Sequence, residues 1–349
     1  MIQIAADRLS NAKRAFTTRN VDTSALCAIS NDVAPRAGDV VLARVLEVGA
    51  HRRLELPTSR KALLFAGDEV ILAYGNRYAP DQFEAYVPDD LSACHLAAAG
   101  GIAGRVVNKN ERMSDPTRIE PIGIFVDSEG MRVNVRDYAL RATAPSKKVP
   151  GFAVVGGSMN AGKTTTAASL VRGLTLSGRK VGAAKLTGTG AGNDYWHMRD
   201  AGAAMVLDFT DAGMATTFQA NRFDLEVAVN TLAGHLVEAG CDALVFEIAD
   251  GLFQEETNWL VSSQFMRKHA DGYLYAAESA ASAAMGVQWL KRHTRVLGVS
   301  GLVSASPLAA RETESATGFP CFTKEALASP EVAQDLLDAV TERVVVQAA

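Results

Sequence analysis

The stretch Gly157-Ser158-Met159-Asn160-Ala161-Gly162-Lys163-Thr164 constrains this chain more than any other. It fits G-x-x-x-x-G-K-[ST], a loop whose backbone N–H groups cradle phosphates. The flanking residues agree with it. Phe152 to Val155 is a short apolar run of the buried-strand kind. Thr165, the last residue of the cradle, opens a helical pattern to Arg172, with Ala167, Ala168, Leu170 and Val171 available for packing. Strand, Gly-rich turn and helix together supply what phosphate binding needs. Glycines let the backbone approach without Cβ clashes, and a helix N-terminus adds free donors and partial positive charge. Lys163 can then reach the β- and γ-phosphates and Thr164 can ligate Mg²⁺. Ordinary residue frequencies give such a match by chance in on the order of one chain per hundred of this length.

The rest of the chain falls into two parts. With 349 residues, two domains are the first expectation. Residues 1–145 read as β-rich. Gly38-Asp39 and Gly67-Asp68 each precede an apolar run, Val40 to Ala43 and Glu69 to Ala73, and the two segments echo one another. Further strands are predicted at 85–87, 104–107, 122–126 and 131–135, which suggests a small barrel or sandwich. Thr143 to Pro150, with two prolines and two lysines, reads as a linker. From residue 151 to 349, strands and helices alternate. Strands are predicted at 152–155, 180–184, 205–209, 243–248, 272–275 and 296–299, and a helix at 227–239. This predicts an α/β fold, a P-loop NTPase parallel sheet with helices on both faces. Ligands of such sheets sit beyond the carboxyl ends of the strands.

Two more strand ends carry chemistry. Cys241 to Glu247 is an apolar strand ending on a carboxylate, as a Walker B element does. Mg²⁺ keeps several waters, so one or two acids suffice. Glu247 is the first candidate ligand. Asp250 is the second, and its alternative is a catalytic one, orienting water or substrate. Lys185 ends the second predicted strand, facing a γ-phosphate or an anionic substrate as a second catalytic lysine beside Lys163. The loop after it, Leu186 to Asn193, is rich in Gly and Thr, and Asp194 is a further Mg²⁺ candidate. Asp208, Thr210 and Asp211 offer either substrate contacts or a capped turn. Trp196, His197 and Arg199 fit a packed helix start better than a ligand site, and Glu255-Glu256 fits a solvated helix start.

Several classes are excluded. A formal charge of −4 gives no basic field for nucleic acid. No run reaches the ~18 uncharged apolar residues of a membrane span. Met1 to Arg19 has no signal-peptide core, so a cytoplasmic protein is expected. The four cysteines are scattered, which predicts free thiols and no zinc site.

On these residues, 151–349 resembles the SIMIBI class of P-loop NTPases, and within it dethiobiotin synthetase and the molybdopterin-guanine dinucleotide biosynthesis protein MobB. The resemblance rests on Gly157 to Thr164, on Lys185 at the end of the second strand, and on Asn193-Asp194-Tyr195-Trp196-His197-Met198-Arg199-Asp200-Ala201-Gly202-Ala203, which is similar to a MobB stretch. It implies that Thr164, Asp194 and Glu247 share one Mg²⁺ ion, and that Lys185 meets phosphate and carbamate oxygens. It also implies a homodimer. A P-loop family with members tied to D-amino-acid metabolism likewise has a small N-terminal domain before such a sheet. Two departures stand out: the Walker B run is Glu247-Ile248-Ala249-Asp250-Gly251, and no N-K-x-D guanine signature occurs at Gly298 to Ser304. ATP is therefore expected, with GTP possible. The leading expectation is a Mg²⁺-ATP-dependent kinase or ligase acting on a small anionic metabolite. The alternatives are a GTPase or ATPase switch serving cofactor assembly, and a nucleotide sensor without turnover.

Overall fold

Two patterns of apolar alternation, one in each half of the sequence, build two separate sheets. The computed structural model describes residues 1–347, with side chains described to residue 341. The chain divides into two compact units. One comprises Met1–Arg141 together with Thr189–Asn193 and Phe209–Ala220; the other comprises the remainder.

In the first unit, β1 (Val40–Glu47), β2 (Glu69–Tyr74), β3 (Cys94–Ala98), β4 (Ile102–Lys109) and β5 (Thr117–Val126) pair in the cyclic order β5-β1-β2-β4-β3 and back to β5. Every pairing is antiparallel except β2 with β4. Closure removes the open edges that a sheet otherwise exposes. Alternation divides the side chains between two cores. Val41, Ala43, Val45, Val70, Leu72 and Leu96 share one, and Val40, Leu42, Ile71, Ala73 and Phe125 share the other. The two Gly-Asp turns precede β1 and β2 as the echo predicts. Asp39 and Asp68 each accept from the N–H three residues back, at 2.9 and 2.8 Å. The strand predicted at 131–135 is absent. Arg132 makes only an isolated bridge, and a 3₁₀ turn covers Val135–Tyr138, begun by the Asn134 side chain. The two later segments are held by specific contacts: Arg19 pairs with Asp211 at 2.8 Å, Glu55 accepts from the Gly192 N–H at 3.1 Å, and Tyr78 meets Phe218 at 5.5 Å.

The second unit contains β6 (Gly151–Gly156), β7 (Val181–Lys185), β8 (Met205–Asp208), β9 (Ala243–Glu247), β10 (Gly272–Ala276) and β11 (Val296–Ser300), all parallel, in the order β8-β7-β9-β6-β10-β11. Its main helices are α1 (Lys163–Leu176), α2 (Gly192–Asp200), α3 (Arg222–Glu238), α4 (Glu255–Ser262), α5 (Ala280–Leu290), α6 (Pro307–Thr317) and α7 (Pro330–Gln347). In α1, Ala167, Leu170, Val171 and Leu174 recur at helical spacing. They pack on Phe152, Val154, Val181, Ala183 and Val245, together with Leu336 and Leu337 of α7. Each such buried side chain contributes roughly 1.5–3 kcal/mol. On the opposite face Gly286 of α5 lies against the Tyr275 ring, where an added Cβ would come within 2.0 Å. The P-loop NTPase type of α/β sheet, with helices on both faces, is thus the observed architecture, accompanied by a β-rich unit.

The four cysteines are free, and among the described residues no helix is long and apolar enough to cross a membrane.

Candidate functional site

Strand register brings the predicted residues together. Glu247 lies opposite Val154 on one side and Lys185 on the other, and Lys185 lies opposite Asp208. Partners in register point to the same face. Val245 and Ala183, two residues earlier in their strands, belong to the core beneath α1. Glu247 and Lys185 therefore emerge on the face where α1 begins, at the carboxyl ends of adjacent strands.

The Gly157–Thr164 loop joins β6 to α1. Gly162 caps the helix at φ 100°, a conformation that favours glycine, and an added Cβ would meet Gly301 Cα at 2.9 Å. The N–H groups of Lys163, Thr164 and Thr165 have no acceptor among the described residues, as the first turn of a helix leaves them. Lys163 is buried, and its Nζ donates back to the Ser158 carbonyl at 2.6 Å. Burial lowers its pKa, against the raising influence of Asp250 and Glu247.

Thr164 is the centre of the constellation. Its Oγ1 lies 3.0 Å from Asp194 Oδ1 and 3.0 Å from Glu247 Oε1. A hydroxyl carries one proton, so it can donate to only one carboxylate at a time. Asp194 stands in the first turn of α2, four residues before the buried Met198, so both lie on the inward face of the helix. Its Oδ2 accepts from Lys185 Nζ in an ion pair. Burial alone would lower the Lys185 pKa, but Asp194 and Glu247 outweigh it and the ammonium is held firmly charged. Glu247 is 2% exposed, and its Oε2 is buried without a hydrogen-bond partner. Burial first, and then the Asp194 charge, push its carboxyl up to about 7. An orphaned carboxylate oxygen beside a second acid and a threonine hydroxyl suits a hard divalent cation that keeps part of its water shell. Among the described residues no cluster of three or more His, Cys, Asp or Glu is placed to hold a metal by itself.

Asp250 acts electrostatically on both Lys163 and Lys185. Its neighbour Gly251 packs on the phosphate loop, where an added Cβ would come within 2.8 Å of the Gly157 carbonyl oxygen. Thr187, fully buried, donates to the Ala249 carbonyl at 2.6 Å and ties the end of β7 to the segment after β9.

Other sequence candidates are placed elsewhere. Asp211 is taken by Arg19 and Asn20, and Asp208 is buried. Arg199 serves the Ala204 carbonyl at 2.7 Å, closing its own helix. Glu255-Glu256 does begin a helix, but only Glu255 is solvated; Glu256 is buried by the packing of α4.

Sequence reasoning passed over Glu278, which follows β10. Its carboxylate accepts from the Ser158 hydroxyl of the loop and from Ser282 at 2.8 Å. The only signal was that Glu278 interrupts the apolar stretch from Ala276 to Val287. Beside the loop, a cavity of about 530 Å³ is lined by Gly162, Thr165, Thr166, Ser300, Gly301 and Leu302, among others.

No family model matches this chain, and no curated protein matches it by sequence. Solved structures do match. Chloroplast FtsY from Physcomitrella patens is 16% identical, covering 58% of this chain and 68% of that one, with a TM-score of 0.39. Signal recognition particle 54 kDa protein from Aeropyrum pernix K1, in complex with GDP, is 21% identical, covering 58% of this chain and 50% of that one, with a TM-score of 0.38. FtsY from Thermotoga maritima is 15% identical, covering 58% and 73%, with a TM-score of 0.35. Likenesses this slight say nothing of the chain's activity.

Proposed function

We propose that this chain is a SIMIBI-class P-loop NTPase that binds a nucleoside triphosphate with Mg²⁺ at Gly157 to Thr165 and cleaves its terminal phosphoanhydride. One observation carries the reading: a threonine hydroxyl opening the helix of a Gly-rich loop lies 3.0 Å from each of two carboxylates on separate elements. The unpaired amides of Lys163, Thr164 and Thr165 would donate to phosphate oxygens. The Lys163 ammonium would leave the Ser158 carbonyl for the same oxygens, neutralising charge that builds as the bond breaks. Thr164, Asp194 and Glu247 would hold the Mg²⁺ ion, which when bound supplies Lewis-acid stabilisation of the phosphates. Glu247 would give up a proton as the ion arrives. Lys185 would keep Asp194 ionised and oriented, and Asp250 would position water. The 530 Å³ cavity beside Thr165 and Gly301 suits a base and ribose.

A second reading keeps the same machinery and passes the phosphoryl group to a small anionic metabolite. Lys185 favours it, because a firmly charged ammonium at a strand end attracts an anionic acceptor once the ion has drawn Asp194 away. A homodimer in the cytoplasm is the assembly that the resemblance to MobB and dethiobiotin synthetase favours.

Phosphate release is to be measured with Mg²⁺-ATP and with Mg²⁺-GTP, for the unaltered chain and for Lys163→Ala. Turnover is expected to fall by about 10³-fold or more with an unchanged melting temperature. Equal turnover in the variant overturns the proposal. Melting-temperature shifts across ATP, GTP and candidate acids identify base and acceptor, since ligands that bind only the folded state raise it.

A further inference from the structure

The other end of the same sheet holds a concavity that the nucleotide reading leaves unused. It has a volume of about 660 Å³ and lies at the amino-terminal ends of β10 and β11. The P-loop follows the carboxyl end of β6, beside that of β10, so about 16 Å of strand separates the two places. Arg267, Lys291, Arg292 and Arg295 line the concavity together with Tyr273.

Among the described residues, no carboxylate pairs with these cations. Arg267 and Arg292 have neither hydrogen-bond nor ion-pair partners among the described residues. Lys291 lies over the Phe319 ring, 5.6 Å from its centroid, and Arg295 donates to the Ala339 carbonyl. Asp271, the one carboxylate in the lining among the described residues, is already engaged. It pairs with Lys148 at 2.8 Å and accepts from the Gly151 N–H at 2.9 Å. Tyr273 also borders the cleft. It is 1% exposed, and its hydroxyl is buried with no hydrogen-bond partner. Arg267 stands near enough to act on that hydroxyl electrostatically. Like charges gathered around one hollow repel until an anion joins them, and guanidinium groups match phosphate oxygens in pairs.

We propose that this cleft is a second ligand site, taking a small phosphate-bearing anion of two or more negative charges between Arg267, Arg292 and Arg295. The site does not depend on the nucleotide reading. Occupancy would tie down the starts of β10 and β11, the strands that carry Glu278 and Gly301 at their far ends.

Inorganic pyrophosphate is the probe, titrated calorimetrically into the full chain at low salt with a chelator present. The unaltered protein, Lys163→Ala and the double variant Arg267→Gln/Arg292→Gln are compared. A binding event that survives Lys163→Ala, weakens about tenfold or more in the double variant, and fades with added salt is the expected result. Both arginines are exposed, so the double variant should keep its melting temperature, and circular dichroism checks this. Loss of all pyrophosphate binding in Lys163→Ala, or unchanged binding in a folded double variant, overturns the proposal. Failure here leaves Lys163-dependent turnover untouched, so the two readings fail separately.

Discussion

Replacing Glu247 by Gln should stabilise the ligand-free protein at neutral and alkaline pH while impairing it as an enzyme. The carboxyl is 2% exposed, and burial with the adjoining Asp194 charge carries its pKa from an ordinary 4.5 to about 7. Below pH 4.5 the group is protonated whether the chain is folded or not, and folding gains nothing from the substitution. Between 4.5 and 7 the unfolded chain gives up its proton while the folded chain retains it. The unfolded state then binds fewer protons, so stability falls as pH rises. Above 7 the loss is complete. The gap between 4.5 and 7, at 1.36 kcal/mol per pH unit, corresponds to on the order of 3 kcal/mol. The assay is urea unfolding of both proteins in chelator from pH 4 to 8.5. The difference between them should grow by about that amount across the window, favouring the glutamine variant at the alkaline end. Mg²⁺ with nucleotide should reverse the preference, because only the ionised carboxylate attracts the cation, and binding should release a proton detectable in buffers of different ionisation enthalpy. A difference that stays constant with pH would refute the burial argument and the metal role built on it.

Lys185→Met should destabilise the ligand-free fold by about 1–3 kcal/mol, because it strips the half-buried Asp194 carboxylate of its partner; Mg²⁺ should restore part of this, read by urea unfolding with and without the ion. Gly251→Ala should weaken nucleotide binding by about 1–3 kcal/mol, since its methyl group would press on the Gly157 carbonyl. Calorimetry checks the affinity, and near-unchanged circular dichroism is expected.

Lys163, Thr164, Lys185 and Glu247 were legible because strand ends and glycine turns leave marks within a few neighbouring residues. Asp194 was legible as an acid closing the Gly-rich loop, and the resemblance added its sharing of an ion with Thr164 and Glu247; the spacing that aims it inward becomes visible once Met198 is known to be buried. Glu278 was not legible, since its role depends on a hydroxyl that lies 120 residues away in sequence. For the first sheet the sequence left barrel and sandwich open, and closure decides for the barrel. That closure turns on β3, whose Cys-His-Leu-Ala-Ala sequence has no strong strand pattern, yet which bonds to β4 on one side and β5 on the other. Met131 to Val135 shows the converse. Its alternation suits a strand, but local capping by Asn134 prevails.

The chain visits the first unit three times, in Met1–Arg141, Thr189–Asn193 and Phe209–Ala220. No single cut can therefore release either half intact. Truncation at Thr143 to Pro150 would carry off Arg19, Glu55 and Tyr78, stranding Asp211, the Gly192 amide and Phe218 with nothing to meet. Exchanging one half for a foreign module would need five splice points, at 141/142, 188/189, 193/194, 208/209 and 220/221, which binds the inheritance of the barrel to that of the second sheet.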